Sequence, residues 1–207
     1  MINPLKIKIQ VALLLVSVGL LTSSCKIVGT LYPLSQNEND FIFKKEIIGK
    51  WGDPKDPAGY YKLDTVPGYG GKLYRTVVTE NKDGNIIDSN WFYARFINVN
   101  GWYFLDNWVN VTDILPAKEK DYSDFLISKH FLFRLSFTNP DTIEMTAPDP
   151  DELIKLIDQK KILLHYSQLK EDDYLILDKS KELQKGLIES KKYPLLYKDK
   201  ITLVRLK

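Results

Sequence analysis

Asn100-Gly101 constrains this chain more than any other pair of residues. Both central residues of a type I′ turn take positive φ, and Asn-Gly adopts that geometry with little strain. Aromatic-rich runs flank the pair, Trp91–Val99 before it and Trp102–Trp108 after it. They predict a tight antiparallel hairpin, and a two-residue loop fixes its register. Val99 then faces Trp102, Ile97 faces Phe104, Arg95 faces Asp106 and Tyr93 faces Trp108. The opposite face carries Phe92, Ala94, Phe96, Tyr103 and Leu105. With apolar residues on both faces, either both are covered or one lines a cavity.

The Arg95–Asp106 face is the candidate binding site. If it lines a barrel interior, an ion pair amid Trp91, Tyr93, Trp102, Phe104 and Trp108 makes apolar walls with a few polar groups, the usual make-up of a small-ligand site. If it does not, the two charges are a structural cross-strand pair. Both readings stand on the sequence.

Most of the remaining chain has strand character. Tyr60–Leu63 and Lys72–Glu80 are short β-prone runs broken by Pro and Gly. A second hairpin is expected around Asn139-Pro140-Asp141, with Phe137 opposite Ile143, Leu135 opposite Met145, Arg134 opposite Glu144 and Arg134 on a solvated face. Asp149-Pro150-Asp151-Glu152 supplies an N-cap, a Pro at N1 and first-turn acids. The helix it starts has Leu153, Leu156 and Ile157 inward and Lys160-Lys161 in its last turn. A second helix is expected over Ser180–Ser190, with Leu183, Leu187 and Ile188 inward. It lies between a strand at Tyr174–Leu177 and a final strand at Ile201–Leu206. The fold class is therefore mainly β (α+β): an antiparallel barrel or curved sheet with two helices, one just before the last strand.

Gly49-Lys50-Trp51 opens the folded part, and Arg205 lies in the last strand. This pairing resembles lipocalin-like barrels. The resemblance implies that Gly49 and Trp51 begin the barrel, that Trp51 closes one end and that Arg205 packs across its ring. The alternative is that Trp51 is an ordinary core aromatic. A lipocalin-like barrel also implies a small apolar ligand.

The first residues are of another kind. Lys6 and Lys8 precede an apolar run, Ile9–Leu21, then Thr22-Ser23-Ser24 and Cys25, which is the only cysteine. The run is too short to span a bilayer, which takes about 20 apolar residues, and it sits where a secretory signal belongs. The pattern resembles a bacterial lipoprotein signal, cleaved before Cys25 and lipidated there. Thr22 stands where that signal prefers Leu. An ordinary secretory cleavage after Ser24 and an uncleaved anchor are the alternatives. More widely, the chain is similar to small bacterial lipoproteins that combine a Gly-Lys-Trp start, a Phe-Leu-Asp segment (Phe104-Leu105-Asp106) and a late helix. The expected organisation is a signal peptide over 1–24, a lipidated Cys25 with a polar tether over 25–40, and one β-rich domain over 41–207. The resemblance implies lipid anchoring in the cell envelope. Lys26, in place of the aspartate that retains many lipoproteins at the inner membrane, favours the outer membrane.

Lys and Arg number 29 against 27 Asp and Glu, and the two excess cations are those of the opening segment. Without a basic excess, no nucleic-acid partner is expected. His130 and His165 are the only histidines, too few for a zinc site that wants three or four clustered ligands. His130 reads as a strand residue on a polar face. Gly68-Tyr69-Gly70-Gly71-Lys72 lacks the helix and hydroxyl of a phosphate loop and reads as a strand connection. Glu171-Asp172-Asp173 lacks the alternation of a calcium loop. No serine sits in a nucleophile elbow. The expectation is a non-enzymatic protein with no metal and no cofactor. Its partners are the membrane, through the lipid, and either a small apolar ligand or an envelope protein docked without ligand.

Overall fold

The computed structural model describes residues 27–82, 85–109, 128–170 and 173–207. The signal segment, Cys25 and Glu171-Asp172 lie outside the described residues, as does the Trp91 side chain. No helix among the described residues is long and apolar enough to cross a membrane.

Eight strands close into an antiparallel barrel: β2 (Gly49–Asp53), β3 (Asp56–Thr65), β4 (Tyr74–Lys82), β5 (Asn85–Val99), β6 (Trp102–Trp108), β7 (His130–Asn139), β8 (Thr142–Thr146) and β11 (Ile201–Arg205). Consecutive strands pair antiparallel from β2 to β8. β11 then inserts between β8 and β2, with Val204 opposite both Thr142 and Gly52. This is the barrel alternative of the expected fold, and closure leaves none of its strands with a free edge. Helix α2 (Ser180–Ser190) precedes the last strand, and α1 (Pro150–Asp158) follows β8.

The β5–β6 hairpin has the predicted register throughout, from Val99 opposite Trp102 to Tyr93 opposite Trp108. Asn100 and Gly101 take φ of 50° and 84°. Both faces of the hairpin are covered. Ala94, Phe96 and Leu105 point into the barrel. They meet Trp51, Leu63, Tyr74, Leu135, Ile143, Met145 and Leu203, so all eight strands contribute to one packed interior. Ile97, Val99 and Phe104 point outward, beneath a second core made by Leu153, Leu156 and Ile157 of α1 and Leu183 and Leu187 of α2.

Four expectations are corrected. Residues 27–40 are not a tether. β1 (Ile27–Thr30) runs parallel to β10 (Asp173–Ile176) and touches β7 at Thr30–His130, while β10 pairs with β9 (Tyr166–Lys170). Leu34 is fully buried. The polar run at 36–40 hid an apolar stretch whose partner strand comes much later in the chain. In the second hairpin Phe137–Ile143 and Leu135–Met145 pair as expected, but Arg134 faces Thr146 and Glu144 faces Ser136. A register that sets Leu135 on Met145 leaves no other neighbours for them. Ile188 of α2 is 39% exposed, and Gly186 and Ser190 are buried in its stead. The inward stripe thus follows positions 183, 186, 187 and 190, the helical spacing of one face. In α1, Asp149 caps the Glu152 amide at 2.9 Å as expected. The helix ends at Asp158, and Lys160, at φ 55°, lies past its last turn.

Candidate functional site

The chain crosses one end of the barrel before entering β2. Phe41 bridges to Ile97, the Ile42 amide donates to the Phe96 carbonyl at 2.8 Å, and the Lys44 amide donates to the Tyr74 hydroxyl at 2.7 Å. Burial inside the barrel pushes the Tyr74 phenol above its ordinary pKa. A single 3-10 turn, Lys45–Ile47, then leads to Gly49. Trp51 is buried, and its indole N–H donates to the Ile47 carbonyl at 2.8 Å. The Arg205 guanidinium lies 4.4 Å from the centre of the Trp51 ring. It also donates to the carbonyls of Ile48, at 2.9 Å, and Glu46, and to the Asp141 carboxylate, at 3.0 Å. Gly49 has φ of 134°, and a Cβ there would come within 2.8 Å of an Arg205 nitrogen. The backbone angle calls for glycine, and a side chain there would also push on the tip of Arg205.

Arg95 and Asp106 are register partners but do not form the expected ion pair. Asp106 is 0% exposed. One carboxylate oxygen accepts from the Leu34 amide at 2.8 Å, and the other meets His130 Nδ1 at 2.8 Å. Arg95 instead stacks over Phe41, 4.3 Å from the ring centre, and over Trp108 at 5.4 Å. The pair therefore sits outside the barrel wall, beneath the N-terminal segment, and not in a lumen. A buried carboxylate needs full hydrogen bonding, and the Leu34 amide and His130 provide it, leaving Arg95 to cover aromatic surface. His130 is not on a polar face: its side chain is 12% exposed, against Trp108 at 5.5 Å between ring centres. His165 is 83% exposed and pairs with Asp178, so the two histidines serve different carboxylates. Of the other expected site residues, Phe104 is core, Tyr93 packs on Trp108 at 5.9 Å, and Trp102 lies at the rim.

At that rim β7 runs on past the start of β6: Tyr103 pairs with Leu135, and Ser136 to Asn139 have no β6 residue opposite. An open cleft of about 360 Å³ lies over this step, lined by Lys44, Gly101, Trp102, Tyr103, Arg134, Leu135, Ser136 and Phe137. Its size suits a small molecule. By contrast, the cavity between the outer barrel wall and the helices measures about 30 Å³, about the share of one water.

Cations and rings alternate around the cleft. Lys44 Nζ stands 4.4 Å from the Phe137 ring centre and 4.6 Å from that of Tyr103. The Arg134 guanidinium lies 4.6 Å from both Trp102 and Tyr197. Lys191 Nζ lies 4.9 Å from Trp102 and donates to the Asn100 carbonyl. Tyr197 is buried, which raises its phenol pKa, and its hydroxyl meets Ser190 Oγ at 3.2 Å. Among the described residues neither Lys44 nor Arg134 has a carboxylate within ion-pair distance. The sequence alone sets Arg134 on a solvated face, reads Phe137 only as the hairpin partner of Ile143, and singles out neither Lys44 nor Tyr197. The signal it could have used is the partial resemblance between Arg134 and Arg95, each a lone cation in an aromatic strand run.

No protein-family model matches the chain, and no curated protein or solved structure is similar to it at a significant level.

Proposed function

We propose that this protein is a lipid-anchored lipoprotein of the bacterial cell envelope, with the outer membrane favoured, and that its barrel is a non-enzymatic binding module for a small ligand with apolar surface. The single observation that carries the binding reading is the aromatic-walled cleft of about 360 Å³ at the barrel rim. The side chains packed inside the barrel favour a site at this rim over the lumen that the lipocalin resemblance implies. The anchor rests on the sequence at Cys25. Acyl chains bury about 0.8 kcal/mol per CH₂, and two or more chains hold a protein stably.

Two experiments test the proposal. Metabolic labelling with an alkyne fatty acid should mark the wild-type chain, while Cys25→Ser should lose both label and membrane fractionation. Retention of label in the variant would remove the anchor assignment. Native mass spectrometry of the full chain, released gently from membranes, should show a reproducible added mass beyond the anchor that Trp102→Ala removes. A bare protein mass after incubation with cell extract would replace ligand binding with docking of an envelope protein.

A further inference from the structure

We infer that the rim cleft selects an anionic amphiphile: a carboxylate or phosphate head drawn to the positive potential of Lys44 and Arg134 at the sheet edge, with its apolar chain against Trp102, Tyr103 and Phe137. The inference rests on the binding-module reading and adds the chemical class of ligand.

Lys44 and Arg134 line the same cleft, and each is held over two aromatic rings. Stacking satisfies the face of a guanidinium but not its edge. No described residue accepts a hydrogen bond from the Arg134 guanidinium, and its five edge N–H groups match a carboxylate or phosphate in bidentate fashion. Glu144 feels the Arg134 charge without forming an ion pair with it, and its carboxylate is engaged elsewhere. Glu144 bonds Lys200 at 2.9 Å and the Ser136 hydroxyl at 3.2 Å, and it is diagonal to Arg134, not opposite. A third cation, Lys191, adds positive potential behind Trp102. Beside the cations, Ser136 and Gly101, the walls are rings and Leu135, which hydrate poorly. A free inorganic anion would leave those walls in water, and a neutral apolar chain would leave the cations without an acceptor. A molecule with both parts covers both.

The test uses the full chain in non-ionic amphipol and three probes that quench tryptophan through a terminal bromine: ω-bromoundecanoate, ω-bromoundecyl phosphate and the neutral ω-bromoundecanol. The two anions should quench saturably, with Kd at least about tenfold below that of the alcohol. Lys44→Gln and Arg134→Gln should each raise the anions' Kd about tenfold and leave the alcohol unchanged. Circular dichroism checks that the variants fold. If Arg134→Gln does not, Lys44→Gln and the salt dependence of wild-type binding decide, because added salt should weaken only the anions. Equal affinity for all three probes would overturn the anionic head and leave the binding module standing. Inorganic phosphate that displaces the probes at their own concentrations would overturn the amphiphile in favour of a bare anion. No saturable quenching by any probe would overturn the inference and the binding reading together.

Discussion

Arg205 ties several parts of the barrel together. It covers Trp51, donates to backbone carbonyls before β2 and binds Asp141 in the β7–β8 turn. A cation–π contact contributes about 0.5–2 kcal/mol, and a hydrogen bond from a charged group about 1.5–3. Arg205→Ala should therefore lower the unfolding free energy by about 2–4 kcal/mol, read by urea denaturation. Arg205→Lys should recover less than half of that, because one ammonium cannot serve a ring, two carbonyls and a carboxylate at once. Thr76 is a contrasting site. Its hydroxyl is buried without a hydrogen-bond partner, and alternation from Tyr74 points it into the barrel. An orphaned polar atom costs about 1–3 kcal/mol, so Thr76→Val, nearly the same shape, should stabilise by about 1 kcal/mol. A destabilised variant would mean that the hydroxyl has an acceptor or donor in solution. The same scale explains the misread pair. Opposite charges at adjacent register positions invite an ion pair, yet Asp106 is taken by an amide from Leu34 and by His130, neither of which is its neighbour in the hairpin.

Helix α1 shows what local chemistry fixes. Asp149 caps it, Pro150 starts it and Lys198 reaches back to the same carboxylate at 2.6 Å. Burial pushes the Asp149 pKa up, but the Lys198 and Glu152 hydrogen bonds outweigh it, and the net shift is downward. A depressed carboxylate contributes stability above its unfolded pKa and loses it as pH falls through the folded value. Asp149→Asn keeps the cap acceptor and removes the charge. At neutral pH it should cost less than about 1 kcal/mol, and the difference from wild type should shrink as pH falls below about 4 and vanish only below the lowered folded-state pKa. Asp149→Ala should cost about 1 kcal/mol more by losing the cap itself. Thermal melts across pH read both. This helix was legible because cap, proline and apolar stripe lie within one short segment. In α2 the ends were legible and the buried face was not, because Ile188 and Ser190 compete for the inward position and only the packing against Tyr197 decides for Ser190.

At the scale of the molecule, two cores share one wall of sheet, and residues 27–40 fasten the outer one. Leu34 is buried in it, the Leu34 amide is held by Asp106, and the Leu34 carbonyl accepts from Gln184 of α2 at 3.0 Å. Asp106→Ala leaves a buried amide and the His130 ring nitrogen unpaired and should cost about 2–4 kcal/mol. Limited proteolysis gives a sharper reading. Wild type should resist subtilisin across 27–40, whereas Asp106→Ala should be nicked there before the barrel is cut. Early cleavage of the wild-type protein in this segment would restore the tether.

By itself the sequence determined the hairpin register at Asn100-Gly101, the cap of α1, the limits of α2 and the β-rich class. Each depends on residues a few positions apart, where turn geometry and side-chain period act directly. It also offered Gly49, Trp51 and Arg205 as a set, which the fold brings into contact across the barrel seam. Only the tertiary structure decided that the sheet closes and that the Arg95–Asp106 face lies outside the lumen. It alone placed β1 beside β10 and put Lys44 and Arg134 at one rim with Trp102 and Phe137. These facts turn on which of two apolar faces curls inward and on contacts between distant segments. A pattern of alternation is the same for either face, so only the packing of the whole chain distinguishes them.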